Sequence, residues 1–421
     1  MRIRLLTILL PLVPAIAASA QVADYQATLY CDGNVQKEQY RSHNSIESVR
    51  SNENVIHACN NVYLIVTEYR LNKTAGSTFA PEYHRSGINS VMTATTGSEL
   101  VIEGGEICSH IDKSDGLTVI GSGTTAKVNE GEIRLHRTNS AGVCAIDSGY
   151  VTLDGTVFTV NGSFNTPFLT DGGKIAASMT TGSTTGISSP LFRTAGTQSA
   201  TGCEMTAEKS NIAYIDDGGN LILDGNKLTG NGYCGFQMFS SDSERGCSRL
   251  ELSKNKLSVS EGPLIMACNT KAEILFRSGN TVSMRSKDLL IAKADEWGEK
   301  GRNGADVTIT SEKQNMRGNI TVDSISSVVM NLRGASYAGA INADANPCAV
   351  IRLVLDRNSS WQLTGDSYIT SIQFDEPADK ALLKQLKGKF TVYYDSNDPA
   401  NAALGGMEHA ISGGGRLVPR Q

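Results

Sequence analysis

The sequence predicts an all-β fold: a single-stranded right-handed parallel β-helix with an N-terminal cap and a small α/β C-terminal cap. Three observations lead there. A short phrase of alternating apolar residues, a Gly/Asn corner and a second alternating run keeps returning. It reads Leu100-Val101-Ile102-Glu103-Gly104-Gly105-Glu106-Ile107, then Lys127 to Ile133, Tyr150 to Val157, Leu221 to Leu228, Leu250 to Leu257 and Ile274 to Val282. Equivalent positions step from Glu106 to Glu132 to Thr156, and from Asn226 to Asn255 to Asn280, a spacing that means one supersecondary unit stacked on itself. The second observation is the corners, since a coil that bends about three times per circuit needs residues tolerant of positive φ. The third is the near-absence of helical periodicity between Leu71 and Asp366.

The elements follow in order. Residues 1–20 carry a basic start (Arg2, Arg4), an apolar run from Leu5 to Ala15 and the small-residue site Ala18-Ser19-Ala20, the pattern of a signal peptide. Residues 21–70 read as the N-terminal cap and first coil, with strands at Thr28 to Cys31 and Val62 to Thr67; an open stack needs a cap because its last rung presents unpaired backbone. Residues 71–366 form the repeat proper, where short strands alternate with turn residues. The one helical pattern inside it, Asp288 to Glu299, is expected on a loop leaving a rung. Residues 367–421 read as the C-terminal cap and tail: Asp375 to Lys387 places Ala378, Leu382, Leu383 and Leu386 on one helical face, and Phe390 to Tyr394 follows as a strand.

Composition narrows the function. The net charge of -5 comes without a Lys/Arg cluster, which argues against nucleic acid, because phosphate neutralisation needs concentrated positive charge. No later stretch reaches membrane length, so a soluble, monomeric, secreted or cell-surface chain without membrane insertion is expected. Nine cysteines would allow up to four disulfides in an oxidising compartment. Cys31 with Cys59 would staple the first coil, and Cys234 with Cys247 or Cys268 would join neighbouring rungs; buried reduced thiols are the alternative. The close Cys/His pairs of a structural zinc site are missing, so no metal is expected.

Candidate chemistry is sparse. Asp216-Asp217 is the one adjacent acid pair in a repeat strand region, with Asp242, Glu244, Arg245 and Arg249 following in a loop. Neighbours on a strand face opposite sides, so the two acids share a site only if Gly218-Gly219 turns the chain between them. Enzymes of this shape use clustered carboxylates with a basic partner, with or without Ca²⁺. A polygalacturonase-like set would also need Asn-Thr-Asp, Gly-His-Gly and Arg-Ile-Lys segments, and only the acid pair is present. His110 and His136 would stack on consecutive rungs, as a pH-sensitive or metal-binding ladder or simply as solvated imidazoles. Tyr337 and Trp361, equivalent positions of a variant repeat, would stack too, either as a binding platform or as the closure of the core.

Several segments carry a family resemblance: Ser188 to Ala195, Trp297 to Thr308, Gly318 to Ser327 and Ser360 to Tyr368. With the repeat around them, they resemble the secreted or surface right-handed parallel β-helix proteins of the adhesin-like type, common in gut bacteria. The resemblance implies a pectin-lyase-like fold and adhesion to glycans or surfaces, and supplies no catalytic residues or cofactor. The expected role is therefore non-catalytic carbohydrate or cell-surface binding. A polysaccharide lyase or glycoside hydrolase is the alternative, and a structural spacer the third. Three or more carboxylates converging in a groove beside Arg245 or Arg249 would favour the enzyme.

Overall fold

Alternation decides which way each side chain faces. In the strand Glu99–Glu103, Leu100 and Ile102 are buried while both glutamates are exposed, and Ala126 and Val128 repeat the pattern one circuit later. The computed structural model, which describes residues 25–35, 38–42, 45–241, 245–374 and 382–420, stacks such circuits into a parallel β-solenoid of about 15 turns. A typical turn contributes one strand to each of three faces. Met92–Ala94, Glu99–Glu103 and Glu106–Ser109 form one turn, and Leu117–Ile120, Thr125–Asn129 and Glu132–Leu135 form the next. Each strand pairs in parallel with its equivalents above and below. Two long strands, Thr166–Ser178 and Phe192–Thr201, run round the corner and join the first and second faces.

The core is a set of rows along the axis. On the first face Ile56, Met92, Leu117, Val143, Phe168 and Phe192 stand directly above one another, all fully buried. Phe168 and Phe192 stack with ring centroids 5.3 Å apart. Each such side chain contributes about 1.5–3 kcal/mol of burial, so stability accumulates rung by rung along the stack.

The corners confirm the role of glycine at one telling place. Gly104 and Gly105 both have positive φ, but only Gly105 is crowded: a Cβ there would lie 2.4 Å from the Tyr69 carbonyl oxygen, whereas nothing lies within 4 Å of one on Gly104. Gly105→Ala is expected to cost about 2 kcal/mol, and Gly104→Asn much less. Denaturant melts of the two variants check this, and equal losses would show that backbone conformation alone matters at this corner. In later rungs a buried amide stack occupies this same corner. Asn226, Asn255 and Asn280 meet side chain to side chain at 3.0 and 3.1 Å, and Gln314 caps the series by accepting from the Asn280 backbone N–H at 2.9 Å.

Several expectations change. The cysteines form no disulfides; all nine are free. Cys31 stands opposite Ala58 while Asp32 stands opposite Cys59, so this one-residue offset sends Cys31 into the core and Cys59 to the outer side. The Gly235 N–H meets Pro263, whereas Cys268 stands opposite Phe239 at the far end of the rung, which keeps Cys268 from Cys234; Cys247 sits exposed on the second face, opposite Lys271. Asp288–Ala292 is a strand, and only the following 293–304 forms the loop. The helical reading of Asp375 to Lys387 falls partly on 375–381, outside the described residues; Leu382–Gln385 make a single 3₁₀ turn and Leu386–Lys387 a short strand. The coil itself continues beyond Asp366, because Ser367–Ile369, Thr391–Asp395 and Arg416–Arg420 still pair in parallel. Tyr337 and Trp361 lie inside that coil, 1% and 0% exposed, with Trp361 Nε1 donating to the Gly339 carbonyl; they close the core and offer no surface platform.

Candidate functional site

Every second residue of the first face points outward, in the row Thr93, Thr118, Cys144, Leu169, Arg193, Tyr214. Over its early turns this outer side is closed. Segment 74–91, with the short helix Tyr83–Ser86, packs across it. The Tyr83 hydroxyl donates to Asn139 O at 2.7 Å, and His84 Nδ1 lies 2.9 Å from Asp115 Oδ2. Thr93, Thr118 and Cys144 are fully buried in consequence. Beyond this cover the strip opens: Arg193 is exposed and Tyr214 half-buried.

Four carboxylates gather at the corner between the first and second faces. Arg85 reaches from the covering segment to Asp147 at 2.9 Å and Asp171 at 2.6 Å. Two turns further on, the Ser241 backbone N–H donates to Asp216 Oδ1 at 2.9 Å and its hydroxyl to Asp217 Oδ2 at 2.8 Å. Strand alternation would separate the two acids. The chain reverses at Asp217, whose φ is 41°, and at Gly218 (φ 80°), so both carboxyls meet the same serine. Burial pushes the Asp216 carboxyl up to about 7; the neighbouring Asp217 adds to the rise, while Ser241 and Arg193 oppose it. Asp171 is also raised, by burial first, with Arg85 and Arg193 opposing and Asp147 and Asp217 adding. Asp171, Asp216, Asp217 and Arg193 thus share one electrostatic field.

An aromatic surface borders these acids. Phe239 stands in register with Asp216. Trp297 stacks on it with centroids 5.0 Å apart, and Tyr214 meets it edge-on at 6.5 Å. Loop 293–304 places the indole: Asn303 Nδ2 donates to the Asp295 and Trp297 carbonyls, and the Asn269 N–H donates to Asn303 O. The sequence reading did not single out Trp297 or Arg193 as site residues. The available signal was a tryptophan, one of only two in the chain, within an insertion between rungs.

The other candidates go elsewhere. Arg245 pairs with Asp306 at 3.0 Å and Arg249 with Glu273 at 2.8 Å, so neither joins Asp216 and Asp217. Asp242 and Glu244 lie outside the described residues. A shallow cleft of about 390 Å³ between the second and third faces is lined by Arg277, Glu312 and Arg333, whose charges are already paired with one another. His84, Asp115 and Cys144 superficially resemble a nucleophilic triad. However, the same ring nitrogen, Nδ1, faces both the carboxylate and the thiol, the latter at 4.0 Å, and complete burial raises the Cys144 thiol well above its ordinary value. A relay needs both imidazole nitrogens and an accessible thiolate. That cluster anchors the covering segment instead.

No protein-family profile and no curated protein matches the chain. The architecture fits the pectin-lyase-like β-helices in general, and no helix among the described residues is long and apolar enough to cross a membrane.

Proposed function

We propose that this β-helix is a secreted, adhesin-like, non-catalytic binder of carbohydrate chains. Its ligand would lie along the open strip of the first face. The observation that carries this reading is the part-exposed Trp297, stacked on Phe239 beside Tyr214 and near the accessible carboxylates Asp147, Asp171 and Asp217 and the exposed Arg193. Sugar rings present apolar C–H faces that pack on aromatic rings and equatorial hydroxyls that pair with carboxylates and guanidinium groups. The stacked rungs, together with the hydrogen bonds that fix loop 293–304, hold these groups in place before binding, which lowers the entropic cost of association. A glycan array probed with the purified chain should give hits, and Trp297→Ala should weaken them up to about tenfold, as the loss of one stacking contact predicts. A blank array would sink the reading.

One observation favours a second reading, that of a glycoside hydrolase. Asp216 titrates near neutrality beside a second carboxyl, the arrangement that lets one acid donate a proton while its neighbour serves as base or nucleophile. Assay of new reducing ends on a polysaccharide panel separates the two readings: turnover that Asp216→Asn abolishes selects the enzyme.

A further inference from the structure

On the third face, remote from the glycan strip, three donors of a different chemistry converge. Cys108 and His110 lie two residues apart and so face the same side of the sheet, and His136 stands one rung above His110. Cys108 Sγ is 3.2 Å from His110 Nε2, and the two imidazoles stack with centroids 4.5 Å apart and planes 3° from parallel. The ligand atoms of all three residues lie within 4.8 Å of one another.

We propose that Cys108, His110 and His136 form a binding site for a late first-row divalent cation such as Zn²⁺ or Co²⁺. The donor set is one thiolate and two imidazoles, the nitrogen–sulfur set these borderline ions take, with a fourth position left open to water. Tetrahedral coordination needs donor separations of about 3.3–3.6 Å. The Cys108–His110 pair already approaches that separation, and the His136 ring must swing in by roughly 1 Å, from stacked to convergent. Both rings are exposed, and the His136 backbone N–H is fixed to Ser109 O at 2.9 Å while no side-chain hydrogen bond among the described residues holds its imidazole, so the ring can rotate about its side-chain torsions.

The nearby carboxylates do not compete. Arg134 engages Glu132 at 2.7 Å and Glu106 at 3.4 Å, which ties up the oxygen donors that Ca²⁺ or Mg²⁺ would require. Burial, reinforced by Glu106, keeps the Cys108 thiol protonated up to about 11, so binding must expel that proton to solvent as the S–metal bond forms. The same burial shields the thiol from oxidation until a cation takes it.

The test is a Co²⁺ titration of the untagged, purified chain, followed through the near-ultraviolet thiolate-to-cobalt charge-transfer band, with Zn²⁺ competition. One equivalent should bind and produce the band. Cys108→Ser should abolish the band, and His136→Ala, at an exposed position that leaves the fold intact, should weaken binding about tenfold or more. His84→Ala, in the buried His84–Asp115–Cys144 cluster, should change neither. The proposal is overturned if wild type shows no band, if the band survives Cys108→Ser, if His136→Ala binds like wild type, or if His84→Ala removes the band.

Discussion

Asp216→Asn is expected to make the protein more stable above neutral pH, by about 2 kcal/mol. The folded Asp216 carboxyl titrates near 7, mainly because it is buried and only 7% exposed, against an ordinary value of 3.8. The folded state therefore holds this proton more tightly than the unfolded chain does. The resulting stabilisation is fully present below about pH 4 and is lost as pH rises through about 7. The rise sets a ceiling of about 4 kcal/mol. Asparagine keeps an oxygen to accept the Ser241 N–H but cannot ionise beside Asp217, and it gives up part of the pairing to Arg193, so about half the ceiling should be recovered. Urea midpoints at pH 4 and pH 8 decide the matter. Wild type should lose stability between them more steeply than the variant, and two parallel profiles would mean that the strain is relieved elsewhere.

The repeat was legible because parallel stacking writes itself into the sequence. Asn226, Asn255 and Asn280 announce a corner, and the alternating apolar runs announce what faces inward. Parity was not legible. Cys31 and Cys59 are 28 residues apart, yet the register pairs Cys31 with Ala58, and that single residue decides between core and outer side. Local conformation also reversed one argument. Alternation separates Asp216 from Asp217, and the left-handed backbone at Asp217 reunites them. The tail misled for a further reason. Its 3.6-residue pattern was genuine, but Leu386 is needed opposite Trp361 to continue the core, and tertiary pairing overrode helical preference from Leu386 onward. Trp297 escaped notice because its position depends on how loop 293–304 folds back over earlier rungs, which no spacing rule records.

Asn255→Ala is expected to be the most damaging single change on the solenoid surface or corners, at about 3–4 kcal/mol. The Asn255 side chain makes four hydrogen bonds in a fully buried setting. Its Oδ1 accepts the Asn226 backbone N–H and Nδ2, both at 3.0 Å. Its Nδ2 donates to Leu223 O at 2.8 Å and Asn280 Oδ1 at 3.1 Å. Alanine would strand these partners away from water, where each unsatisfied group costs about 1–3 kcal/mol before the neighbours relax. The neighbouring amides polarise one another through the series, so removing the fully buried Asn255 should cost more than removing Asn280, which is 8% exposed. Asn255→Asp separates hydrogen bonding from volume. It has nearly the same shape but loses the donor that Leu223 O and Asn280 Oδ1 require, unless it is protonated. Its folded pKa should therefore be raised, and the variant should melt like Asn255→Ala at pH 7 yet regain much of the difference at pH 4. Thermal melts at both pH values provide the check. If Asn255→Ala stays within about 1 kcal/mol of wild type, then the rungs are held by their apolar rows alone, and the amide series follows from the fold rather than supporting it.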